Sequence, residues 1–100
     1  MTNPKHAAHP RPLFPLGQIV GTPGAISALE TAGRTHSEFL DRHVCGDWGE
    51  LSDDDKAENE YSLTRYLRIF SAYHLSAEVK IWIITEADRS STTILLPSEY

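Results

Sequence analysis

Most of the features that announce a function are missing from this chain. It carries a single cysteine, Cys45, so no internal disulfide is available, and that usage fits a reducing cytoplasm. No apolar run approaches the roughly 20 residues a membrane-spanning helix needs, and Met1-Thr2-Asn3-Pro4-Lys5-His6 has none of the apolar stretch of a signal peptide. Positive charge is scarce: Lys and Arg number 9 against 14 Asp and Glu, a formal net charge of −5. Nucleic-acid-binding modules usually show a basic stripe, so this balance weighs against nucleic acid and suits solubility or a basic protein partner. Metal-ligand spacing is also absent. His36 and His43 share a helix face, but no Cys or His pair accompanies them to complete a zinc site. Asp53-Asp54-Asp55 lacks the alternating oxygens, central glycine and distant glutamate of a calcium loop, and Lys56-Ala57 breaks the pattern. Neither metal nor cofactor is expected.

What is present fits one small α+β domain. The chain has 100 residues, room for one core. Residues 1–15 hold Pro4, Pro10, Pro12 and Pro15 and read as a flexible proline-rich arm, leaving 16–100 as the domain. Leu16 to Gly21 reads as a short strand that its glycines push to a sheet edge. Thr22-Pro23 is an N-cap with proline at the first helical position, opening a helix that stops at Gly33. Thr35-His36-Ser37-Glu38 matches a capping box, and Phe39, Leu40, His43 and Val44 follow at helical spacing before Gly46. Ser52 and three aspartates open a third helix, whose modest apolar face is Ala57, Tyr61 and Leu63 or Thr64.

After Arg65 the period changes to two. Leu67, Ile69, Ser71, Tyr73 and Leu75 share one face of a strand. Val79, Ile81 and Ile83 do so in the next strand, and a last one runs from Thr92 to Leu96 and stops at Pro97. The expected architecture is a short N-terminal strand, three helices, then a three-stranded antiparallel meander packed on the helices. Phe70, Trp82, Ile84 and Leu95 fall on the opposite sheet face. They need another cover, from the arm, the first strand or a second copy of the chain, and are candidate interface residues.

Three places hold chemistry. The knot Thr85-Glu86-Ala87-Asp88-Arg89-Ser90-Ser91 is richer in acid, base and hydroxyl than a tight turn requires. In one reading Glu86, Asp88, Arg89, Ser90 and Ser91 form a binding site in which the Arg89 guanidinium grips an anion. In the other, Asp88 caps a turn and Arg89 pairs with Glu86 or Asp88 at the surface. His43 is a candidate general base if Asp47 orients it, with Trp48 as a lid. Cys45 follows a helix C-terminus, whose field raises a thiol pKa and disfavours a nucleophile.

The strings His43-Val44-Cys45-Gly46-Asp47-Trp48-Gly49 and Arg68-Ile69-Phe70-Ser71-Ala72-Tyr73, the run from Ile81 to Pro97, and the terminal Glu99-Tyr100 resemble a family of small bacterial proteins found on plasmids and integrative elements. These are usually called plasmid-related or hypothetical proteins, and some bear the label type I restriction endonuclease subunit M. The resemblance spans roughly residues 13–100 and implies no activity. The methyltransferase label does not suit this chain: Asn3-Pro4 is followed by Lys5 instead of a second proline, and no strand leads into a glycine-rich turn. The expectation is a cytoplasmic binding protein of a mobile element, with a protein partner or a second copy as its target. One alternative is a small toxin-type ribonuclease, with His43 or His74 as base, Arg68 or Arg89 holding phosphate, and Tyr73 or Ser91 assisting. The other is an antirestriction or anti-CRISPR inhibitor that uses the acidic stretch from Glu50 to Glu60.

Overall fold

In the computed structural model, which describes residues 11–100, the chain runs β1 (Gln18–Gly21), α1 (Pro23–Ala32), α2 (His36–Val44), α3 (Asp53–Arg65), β2 (Ile69–His74), β3 (Lys80–Thr85) and β4 (Ser91–Leu95), then a 3₁₀ turn, Pro97–Glu99. Residues 1–10 of the proline-rich arm lie outside the described residues. The fold is α+β, as its alternation of periods implies.

Local chemistry sets the helix ends. Thr22 accepts the Ala25 N–H at 3.2 Å, Pro23 occupies the first turn, and Gly33 closes α1 with a left-handed φ of 68°. Ser52 accepts the Asp55 N–H at 3.1 Å and opens α3. The capping box at Thr35 does not form. Thr35 is the cap residue of α2, but its hydroxyl makes no capping bond, because Glu38 turns back to a bidentate pair with Arg34. The apolar face expected for α3 is also revised. Tyr61 and Ala57 face solvent; of the expected face, Leu63 packs against the Phe14, Val44, Trp48 and Ile69 cluster, and the buried residues are Asn59 and Ser62, because Asn59 meets strand backbone.

The meander β2-β3-β4 forms and is antiparallel, with Phe70 opposite Ile84 and Ile83 opposite Ile94. It is not a separate sheet. β1 joins as a fourth strand beside β4, in parallel, giving the order β1-β4-β3-β2 and a mixed sheet. Gly17 makes that junction. Its φ is 68°, and a Cβ there would collide with the Ser90 backbone. Two strand ends are shorter than the period suggests. Leu67 stays exposed ahead of β2, because Tyr66 turns the chain with φ 55°, and Val79 is exposed ahead of β3 in the turn that bonds Leu75 N–H to its carbonyl.

Helices cover one sheet face. Ala25, Leu29, Phe39, Tyr73, Ile81 and Ile83 form the larger apolar cluster, and Phe14, Val44, Trp48 and Ile69 form a second beside it. Leu13 and Phe14 belong to this packed region, which therefore begins before Leu16: the Leu13 N–H bonds the Val44 carbonyl and Phe14 is buried. Among the described residues, no helix is long and apolar enough to cross a membrane.

Candidate functional site

His43 lies on the buried face of α2 and is 0% exposed. Its Nδ1 is 2.6 Å from Ser71 Oγ on β2 and its Nε2 is 2.9 Å from Thr85 Oγ1 on β3. Thr85 Oγ1 is 2.7 Å from Thr92 Oγ1 on β4, and the Thr92 hydroxyl donates to the Leu16 carbonyl at 2.7 Å. A carbonyl only accepts, so the direction of every proton follows. Thr92 donates to Leu16 and accepts from Thr85. Thr85 then accepts the Nε2 proton of His43, which leaves Nδ1 to accept from Ser71. Enclosed as it is, the ring is neutral, and these directions make it the Nε2–H tautomer. Phe14 and Trp48 close over it, each edge-on, with centroids 5.3 and 6.1 Å away. Burial pushes the His43 pKa down to about 3.

Asp47 does not orient this histidine. Its carboxylate takes the Arg42 guanidinium at 2.7 Å and the Gly49 N–H at 3.3 Å. Trp48 is buried beside the ring and donates its indole N–H to Glu60 at 3.0 Å. Cys45 is half-buried just past α2, and burial raises its thiol pKa, ahead of the nearby Asp41 charge.

Arg89 sits at the centre of the knot with a left-handed φ of 62° and is 6% exposed. One guanidinium nitrogen donates to the carbonyls of Leu67 at 2.7 Å and of Glu86 and Ala87 at 3.1 Å; the other donates to that of Ser62 at 3.0 Å. Phe14 and Tyr66 lie against its plane, 5.7 and 5.3 Å from ring centroid to cation. Both terminal nitrogens are thus engaged by the end of α3 and the loop backbone. Neither the Glu86 nor the Asp88 carboxylate is its partner. Glu86 pairs with Arg68 at 3.1 Å, and Asp88 accepts the Ser90 N–H at 3.0 Å; the Ser90 hydroxyl first, and this turn bond after it, hold the Asp88 pKa below the usual carboxylate range. The exposed part of the knot, Asp88 and Ser90, stands apart from the buried string, which takes only the flanking Thr85 and Thr92.

The far sheet face is covered by the chain's own end. Trp82 meets Phe70 edge-on at 5.0 Å and Tyr100 at 5.7 Å, while Ile84 and Leu95 are buried. Glu99 fixes that end, accepting from the Thr22 hydroxyl and from the Gly24 N–H at the start of α1. An open recess of about 350 Å³ remains, lined by Arg68, Phe70, Trp82, Ile84 and Tyr100. Arg68 is held at its rim by Glu86 and by the Tyr100 hydroxyl at 3.2 Å.

Sequence reasoning singled out His43 and the knot, but it missed Ser71, Thr85 and Thr92 as one string. Their signal was a hydroxyl at an inward position in each of three strands. Tyr100 was missed because a chain terminus offers no period. Among the described residues, no cluster of three metal-ligating side chains occurs and every buried side-chain polar atom has a partner. No protein-family model matches the chain, no curated protein matches it, and no solved structure matches it.

Proposed function

We propose that this chain is an interaction protein of a plasmid or integrative element that holds a protein partner through the recess between Trp82 and Tyr100. The observation that carries the reading is an aromatic wall left open: Tyr100 is 73% exposed, and Trp82 is half-buried with Arg68 fixed beside it. Trp, Tyr and Arg are the residue types that dominate interface energetics, and they do so when side chains are held in place before binding. The occupant that suits the recess is an apolar or aromatic side chain of a partner protein, because the walls are Phe70, Trp82, Ile84 and Tyr100. The setting on a mobile element rests on the sequence resemblance alone.

The ribonuclease alternative is weaker on geometry. His43 is enclosed and neutral, and the Arg89 guanidinium is spent on four carbonyls, so neither reaches a phosphate without unfolding its surroundings. His74 faces solvent with Glu50 at 3.3 Å. Tyr73 is buried with its hydroxyl on the Asp47 carbonyl, and burial raises its pKa.

The test is affinity capture in cells that carry the element. One protein should be retained by the wild-type chain and lost with Trp82→Ala and with Tyr100→Ala, while both variants keep their circular dichroism. Capture indifferent to both substitutions, or an RNA-cleaving activity of the pure protein that His43→Gln removes, would overturn the proposal.

A further inference from the structure

The two edges of the sheet are treated differently. The outer edge of β2 is closed. Asn59 clamps Phe70, donating to its carbonyl at 2.6 Å and accepting its N–H at 3.0 Å. Ala72 donates to the Trp48 carbonyl at 3.2 Å and accepts the Glu50 N–H at 2.7 Å. The outer edge of β1 is open. Gln18 and Thr22 donate inward, to the Ser90 and Ile94 carbonyls, each at 3.0 Å. Alternation along a strand then turns the backbone groups of Ile19 and Gly21 outward. Among the described residues, no loop and no side chain bonds them there.

β1 is only four residues long, which limits the ladder, but of the other devices that blunt an edge strand, a charge, a proline or a bulge, Gln18-Ile19-Val20-Gly21 has none. Its side chains are apolar and exposed: Ile19 40%, Val20 42%, and Ile26 of α1 beside them 48%. An open groove of about 610 Å³ lies along the same edge, with Ile19, Gly21, Ile26 and Ile94 among its lining. Of its charged lining residues, Arg34 pairs with Glu38, and Glu30 adds one carboxylate.

We propose that β1 pairs antiparallel with β1 of a second copy of this chain, joining two four-stranded sheets into one of eight. The occupant is a second copy because the strand is self-complementary. Antiparallel partners directly opposite each other share a sheet face, and the outward-facing residues must form the hydrogen-bonded pairs. Only one register uses both Ile19 and Gly21. Ile19 stands opposite the partner's Gly21, the partner's Ile19 stands opposite Gly21, and the two Val20 side chains meet across the two-fold axis. The alternative, Ile19 against itself, needs Gly17 in the ladder, and its left-handed φ of 68° removes it from strand geometry. The chosen register also places each Ile19 opposite a residue without a side chain, next to Ile26, whose Cδ1 lies 2.9 Å from where a Gly21 Cβ would be. The ladder runs along the outer edge of β1, two strands away from Trp82 on β3, so the dimer does not depend on the recess, although Val20 shares its sheet face.

Sedimentation equilibrium of the full chain tests this. Wild type should sediment at twice the 11.2 kDa chain mass, and Val20→Lys, a solvent-exposed change, at the chain mass with an unaltered circular dichroism spectrum. Val20→Cys with Cys45→Ser should oxidise to a disulfide-linked dimer. The two positions form a non-hydrogen-bonded pair with Cα atoms about 4.5 Å apart, within disulfide reach. Trp82→Ala should leave the dimer intact. A wild-type monomer at millimolar concentration, a dimer that Val20→Lys does not dissociate, or one that Trp82→Ala does dissociate, overturns the proposal. Failure of the Val20→Cys cross-link overturns the register.

Discussion

At the scale of the residue, burial dictates how His43 behaves toward acid. With the ring 0% exposed, a positive charge on it is cut off from water, so the folded state resists the proton that the unfolded chain accepts. The folded pKa of about 3 lies below the ordinary 6.5. A lowered histidine pKa means that the unfolded state binds more protons between these values, so stability rises with pH through that window and is complete above it. The slope approaches about 1.4 kcal/mol per pH unit, so roughly 2 kcal/mol is lost between pH 6.5 and 5. The carboxylates with depressed pKa, Glu38, Asp88 and Glu99, shift in the same direction, but they lose their contribution only further down, from the ordinary carboxylate range. Urea midpoints at pH 7 and 5 should therefore differ in wild type. They should converge in His43→Gln, whose amide donates and accepts but does not titrate. Equal pH sensitivity in the two proteins would remove His43 as the cause.

At the scale of the element, β2 is held by a side chain that imitates a strand. Asn59 supplies the donor and the acceptor that a neighbouring strand would supply to Phe70, and so ties α3 to the sheet. Asn59→Asp keeps the size but removes the donor. It leaves the Phe70 carbonyl facing a carboxylate in a largely buried position, at a cost of roughly 2–3 kcal/mol. The loss should be recovered in part at low pH, where the protonated carboxyl donates again, and thermal melts of both proteins at pH 7 and 4 read it. A melt of Asn59→Asp that tracks wild type at both values would show that the clamp carries no stability. This element also shows what the sequence withheld. The caps at Thr22, Ser52 and Gly33 were legible because capping depends on neighbours three or four residues away. The inward alternation of Ile81 and Ile83 was legible for the same reason. Asn59 and Arg89 were not. Their partners Phe70 and Ser62 are chosen by tertiary placement, and an asparagine or arginine in a polar stretch looks the same whether it clamps backbone or faces water. The Thr35 box failed on a local competition: Glu38 has a second partner four residues back, Arg34, and takes it.

At the scale of the whole molecule, closure depends on a contact between the chain's two ends. β1 reaches β4 only after all three helices and two strands have been made, whereas β2, β3 and β4 are joined by short turns. Parallel pairing across such a separation was unreadable, because no periodicity in Leu16–Gly21 points to Ser91–Leu95. The same separation orders folding. Closing a long loop costs entropy before its contacts form, so the local meander should nucleate and β1 should dock after the transition state. Gly17→Ala should then act almost wholly on unfolding: the added Cβ opposes both the left-handed φ and the approach to Ser90, and the unfolding rate rises while the folding rate holds. Ile81→Val, in the strand at the centre of the meander and 0% exposed, should instead slow folding, for a loss of about 1 kcal/mol. Chevron plots taken at dilution separate the two limbs. If Gly17→Ala slows folding by its full loss of stability, β1 is paired in the transition state and the meander is not the nucleus.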